Sequence, residues 1–154
     1  GWKIGWACGS SDLIAGVRAA KQYLTYVAGA PFQPAVAHAL ATEDAWVDAL
    51  CASFQARRDR LGSALSDIGF DVFDSFGTYF LCVDPRPLGY DDSTSFCAQL
   101  PEKVGVAAIP MSAFCDPTAP HADEWKHLVR FAFCKRDETL DEAIRRLQAL
   151  KRPG

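Results

Sequence analysis

The chain has 154 residues, 49% of them hydrophobic and 23% charged, and a formal net charge of −3. That is the length and composition of one ordinary globular domain with a core, which argues against disorder. With no Lys/Arg run and only short, charge-interrupted apolar stretches, nucleic acid is not an expected partner and neither is a membrane. No targeting segment is visible. Cys8, Cys51, Cys82, Cys97, Cys115 and Cys134 form no C-x-x-C or Cys–His cluster. The expectation is therefore a reduced, cytoplasmic protein with no metal site.

In chain order, Lys3–Cys8 reads as a buried strand that carries one lysine. "GSSD" then supplies turn and N-cap residues, and Leu13, Ile14, Val17, Leu24 and Val27 recur at helical spacing until "AGAP". "PFQPAVAHAL" predicts a short helix whose prolines fall in its first turn. Thr42 is placed to cap a long helix with Trp46, Leu50, Phe54, Leu61, Leu65 and Ile68 on one face, closed by Gly69. "FDVFDS" and "TYFLCVDPRP" predict a hairpin turning at Phe76-Gly77. Residues 91–104 predict a helix despite Pro101, "VGVAAIP" a short buried strand, and 111–127 a long loop. "HLVRFAFCK" predicts a strand covered on both faces, and Thr139 with Glu142 has capping-box spacing at the start of a last helix. Helices first, then strands mixed with helices, predict an α+β arrangement of helices on a small sheet.

Two cations stand out. Arg130 lies among Leu128, Val129, Phe131, Ala132 and Phe133, so its guanidinium needs a partner: an internal carboxylate, or one brought by a ligand. Lys3, within "WKIGW", has three readings: a side chain reaching solvent, an anion or phosphate ligand, or a Schiff-base lysine. Gly1, Gly5 and Gly9 do not have the spacing of a phosphate-cradling loop. His38, His121 and His127 stand apart from one another, and no catalytic triad is legible.

"GWKIGW", "GTYFL", "VGVAAIPMSAF" and "LVRFAFCK", in that order, resemble the C-terminal part of the class I/II aminotransferases. These are fold-type I enzymes that use pyridoxal 5′-phosphate (PLP). The likeness is nearest to the branch that holds kynurenine/glutamine aminotransferases, cysteine-conjugate β-lyases and N-succinyldiaminopimelate aminotransferases. The resemblance implies an α/β protein, the C-terminal portion of that fold. Residues 1–30 would belong to the large PLP-binding domain, and 31–154 would form the small α+β domain.

By the same resemblance, the Schiff-base lysine lies upstream of Gly1, so no catalytic residue is expected in this chain and the chain alone is expected to be inactive. Lys3 matches a cation that contacts the PLP phosphate, and Arg130 the arginine that binds the substrate α-carboxylate. "IPMSAF" matches a loop over the substrate, which brings Pro110, Ser112 and Phe114 to the pocket. The segment Tyr26–Pro31 matches a loop that reaches the partner subunit's pocket, where the small Ala28 and Gly29 would leave room for a long substrate tail. The implied activity is ping-pong transamination between glutamate and an oxo substrate in a homodimer. N-succinyldiaminopimelate aminotransferase, an enzyme of lysine biosynthesis, is the leading expectation. Kynurenine/glutamine or methionine aminotransferase, cysteine-conjugate β-lyase, and an aminotransferase-like sensor domain of a transcription regulator are the alternatives.

Overall fold

The computed structural model describes residues 3–151; the Gly1-Trp2 that opens the first motif lies outside them. The chain divides into two compact units, Gly1–Ala49 and Leu50–Gly154.

In the first unit, residues 3–10 carry no regular structure, so the expected strand at Lys3–Cys8 does not form. A strand persists only when its backbone N–H and C=O groups pair with a neighbour, and no described residue pairs with this segment. Helix α1 (Ser11–Leu24) follows with Ser10 at its N-cap, as the turn residues predict, though the Ser10 hydroxyl makes no capping bond. Helix α2 (Phe32–Thr42) opens on Pro31 and holds Pro34 in its first turn. Thr42 does not cap the next helix. Its Oγ1 donates to the His38 carbonyl at 3.0 Å, because a hydroxyl at a helix end reaches the carbonyl four residues back more readily than it reaches forward.

Helix α3 (Asp44–Ile68) runs from the first unit into the second. Its apolar face is covered only in the second half, where Leu61, Leu65 and Ile68 are buried; Trp46 stays exposed. Gly69 ends the helix at φ +115°. Its N–H reaches the Ser66 carbonyl at 3.0 Å and the Phe70 N–H reaches Leu65 at 3.1 Å, the bond pair of a Schellman stop. Leu65 and Phe70 are both buried, which supplies the apolar contact that accompanies such stops.

The expected hairpin forms from β1 (Asp71–Val72) and β2 (Phe80–Asp84), paired Asp71↔Asp84 and Val72↔Val83. Helix α4 (Ser93–Val104) is capped by Asp92, whose carboxylate accepts the Ser95 N–H at 2.7 Å, and it accommodates Pro101. The strand expected in "VGVAAIP" shrinks to β3 (Ile109–Pro110), an edge strand with Ile109 exposed. A proline is tolerated there because an edge strand needs fewer donors. The expected long loop is partly helical: a 3₁₀ turn at Met111–Phe114 and the single turn α5 (Ala122–Trp125).

Strand β4 (Val129–Ala132) completes an antiparallel sheet of order β1-β2-β4-β3. Helix α6 (Asp137–Leu147) then packs Leu140 and Leu147 into the core. The capping box expected from Thr139 and Glu142 is absent, since the helix starts two residues before Thr139 and Glu142 bonds forward to Arg145 and Arg146. One continuous core joins α3, α4 and α6 to Leu81, Val83, Val129 and Phe131, which alternate along β2 and β4. The helices therefore cover one face of the sheet. β4 is not buried on both faces as expected, because Arg130 and Ala132, on the other face, are only partly covered.

Candidate functional site

The face of the sheet turned away from the core carries Phe80 and Cys82 on β2 and Arg130 and Ala132 on β4. The register sets Arg130 opposite Cys82 on one flank and Ile109 on the other. Directly opposed residues share a face, so the guanidinium rises between side chains from both neighbouring strands.

No acidic side chain meets it. Among the described residues no group hydrogen-bonds or ion-pairs with the Arg130 guanidinium, and its Nε is the one buried side-chain N or O atom without a partner. The guanidinium carbon instead lies over two aromatic rings, 3.8 Å from the centroid of Phe80 and 4.2 Å from that of Phe114. Such stacking supplies charge–quadrupole attraction but satisfies no N–H donor. The guanidinium is thus held by two rings and by no acidic group among the described residues.

Local structure holds both rings. Phe80 follows Thr78, which adopts φ +60°, an uncommon conformation for a non-glycine residue. The Thr78 hydroxyl accepts the Phe80 N–H at 3.2 Å, the Ser75 hydroxyl donates to the Phe80 carbonyl at 3.0 Å, and Arg58 holds the Ser75 carbonyl at 2.9 Å. Phe114 ends the 3₁₀ turn, which the Met111 N–H ties to the Leu128 carbonyl beside β4 at 2.9 Å. Ser112 lies 3.3 Å from Thr94 of α4, hydroxyl to hydroxyl. Cys82 packs 3.9 Å from the Met111 sulfur. Burial pushes its thiol above the ordinary value, and the Arg130 charge pulls it only part of the way back. The thiol therefore stays neutral at physiological pH and does not act as an internal counter-ion.

The structure thus brings together Arg130 and Phe114, while Lys3, Ala28 and Gly29 belong to the other unit. Lys3 is exposed, takes φ +58°, and has no ion pair or hydrogen bond among the described residues. An unpaired ammonium of this kind suits a phosphate. Ala28 and Gly29 are exposed in the turn before α2, and Tyr26 in the same turn takes φ +57°. Gly29 also has a local reason to be small, since a Cβ there would stand 2.8 Å from the Phe32 ring. The non-glycine residues with left-handed backbone (Lys3, Tyr26 and Thr78) all fall in segments singled out from the sequence. Phe80 lies in the motif "GTYFL", which the resemblance matches to a strand near the active site, but it was given no role of its own. Its spacing of two from Cys82 puts it on the same side of the strand.

A second polar cluster lies at the far end of β2. Asp84 is buried, accepts three hydrogen bonds from the Arg86 side chain at 3.1, 2.8 and 2.6 Å, and lies 3.5 Å from His127 Nε2. Burial alone would push the Asp84 carboxyl up, but the Arg86 hydrogen bonds and the Arg86 and His127 charges outweigh it and hold the group below its usual range. Every member of this cluster has a partner within it, in contrast to Arg130.

The family model described as "Aminotransferase class I and II" matches residues 1–147. The chain belongs to the class I and II aminotransferases. It is 76% identical over 159 aligned residues to a Mycobacterium tuberculosis protein named "Probable N-succinyldiaminopimelate aminotransferase", covering 100% of this chain and 40% of that protein. A solved structure of N-succinyldiaminopimelate aminotransferase from the same organism superposes with a TM-score of 0.85 at 77% identity, over 97% of this chain and 38% of the other. Methionine aminotransferase of Escherichia coli is 37% identical over 150 residues, 97% of this chain and 38% of that protein. The chain therefore spans 40% or less of the length of these curated relatives.

Membership in this aminotransferase family implies dependence on PLP, and the fold matches a portion of the fold-type I architecture. The chemistry of Lys3, an exposed ammonium with no partner among the described residues, is compatible with a phosphate-bearing group. Among the described residues no helix is long and apolar enough to cross a membrane.

Proposed function

We propose that the protein containing this chain is a PLP-dependent aminotransferase moving an amino group between glutamate and an N-succinylated oxo acid of the diaminopimelate branch of lysine biosynthesis. Arg130 carries the reading: it is a stacked guanidinium with no acidic partner and a buried, unsatisfied Nε. An arginine so placed binds a carboxylate through two parallel hydrogen bonds and orients the substrate's α-carbon. The high identity to a relative named for N-succinyldiaminopimelate supports the choice of substrate.

Residues 1–30 belong to the large domain and 31–154 to the small domain. Lys3 holds the phosphate of PLP as a charge clamp. Bound there, PLP supplies the electron sink that lets an amino nitrogen leave one carbon skeleton and join another. Phe114 and the turn that carries it cover the carboxylate end of the substrate and limit water at Arg130. Ala28 and Gly29 leave space for the succinyl tail in a homodimeric site. The free thiols of all six cysteines support a reducing, cytoplasmic setting.

The test is steady-state kinetics of the full-length holoprotein and its Arg130→Gln variant. KM for glutamate is expected to rise about 100-fold, the cost of one charge-assisted bidentate contact. An unchanged KM overturns the assignment of Arg130. Equal turnover of kynurenine and N-succinyl-2-amino-6-oxopimelate overturns the substrate, and pyruvate release from a cysteine conjugate in place of amino transfer overturns the reaction.

A further inference from the structure

The inference rests on Arg130 as the reader of the substrate carboxylate. We propose that Phe80 and Phe114 are positioning residues that fix the plane of the Arg130 guanidinium, so that the site selects planar carboxylates over tetrahedral oxyanions. The two rings arrive from opposite flanks of β4. Phe80 comes from β2, and Phe114 from the turn that follows β3. The guanidinium carbon lies 3.8 Å from one ring centroid and 4.2 Å from the other; in the proposed arrangement the two rings lie against the faces of the planar group.

What is left to a ligand is the N–H edge. A carboxylate enters there in the same plane and makes two parallel N–H···O bonds. A phosphonate or sulfonate carries a third oxygen out of that plane, where a ring already stands. The buried Nε sharpens the choice, because a donor already out of water gains most from an in-plane acceptor. Phe114 is 58% exposed, and the Met111 N–H ties its turn to the carbonyl of Leu128, the residue before β4.

The experiment uses the full-length holoprotein with L-glutamate and the analogue in which a phosphonate replaces its α-carboxylate. Calorimetry gives Kd for the analogue, and the spectral change of the cofactor on mixing gives the apparent Kd for glutamate. Phe114→Leu and Phe80→Leu are expected to narrow the preference for carboxylate over phosphonate about tenfold each, the scale of one desolvated cation–π contact. Phe114→Tyr and Phe80→Tyr keep a ring and are expected to retain the wild-type preference. An unchanged preference in the leucine variants, or equal loss in the tyrosine and leucine variants, overturns the proposal. Phe114 is exposed, so its variants decide the matter if those of Phe80 fail to fold. Arg130→Gln is run alongside: no effect of that change on glutamate binding indicts the reading of Arg130, whereas an effect there without one at either ring sinks only this inference.

Discussion

Half-buried Arg130 and buried Asp84 show how two polar side chains in one sheet come to different ends. Asp84 is fully served, by three Arg86 side-chain bonds and by His127, and its carboxyl is held below its ordinary range. Arg130 has two rings and no acid. The first is a closed cluster in which each member has a partner, whereas no described residue pairs with the guanidinium of the second. Asp84→Asn is accordingly expected to cost about 1–2 kcal/mol at neutral pH, modest because the Arg86 side chain is 53% exposed. The sign with pH follows from the direction of the shift. A carboxyl whose folded pKa is lowered contributes stability above its unfolded pKa and loses it as pH falls through the folded value. Chemical denaturation of wild type and variant should therefore converge as pH drops below about 4. A difference that widens in acid would refute the pairing.

At the scale of elements, the clearest local signals were helix ends. Gly69 after a long apolar face predicted a stop, and the structure has a Schellman motif there with φ +115°. Gly69→Ala is expected to destabilise the fold by about 1 kcal/mol or more, because alanine resists that conformation and its Cβ would meet Leu88 at 3.1 Å. Thermal or urea unfolding checks this; an unchanged midpoint would show that the motif does not need glycine. The failures at this scale have a common cause. Thr42, and the pair Thr139 and Glu142, have capping chemistry at plausible spacing, yet each is engaged elsewhere: Thr42 back to His38, Glu142 forward to two arginines. Spacing identifies residues able to cap, but the bonds available to them in three dimensions decide whether they do. Lys3–Cys8 failed as a strand for a related reason, since alternation names a face and pairing needs a neighbour.

At the scale of the whole molecule, every residue of the hydrophobic core lies between Leu61 and Leu147, inside the second compact unit. Helices α1 and α2 of the first unit bury no residue, and Trp6, Leu13, Leu24 and Trp46 remain exposed. Residues 50–154 expressed alone are therefore expected to unfold cooperatively on heating. Residues 1–49 alone should show little helicity, because isolated helices of 14 and 11 residues are marginal in water. Circular dichroism with thermal melts checks both halves of the claim, and a non-cooperative 50–154 fragment would refute it.

Most of the helices, the hairpin, the central strand and the family were legible in the sequence by itself. Periodicity, turn residues and four ordered motifs are local properties that a chain carries before it folds. The sequence also singled out Arg130 as a cation in an apolar strand, but it left open whether the partner was internal or external. Only the tertiary structure shows what surrounds the guanidinium: no described acidic side chain, but the rings of Phe80 and Phe114, which lie 50 and 16 positions away along the chain (130 − 80 and 130 − 114). Residues so far apart share no local pattern, and their convergence is a property of sheet order and register alone.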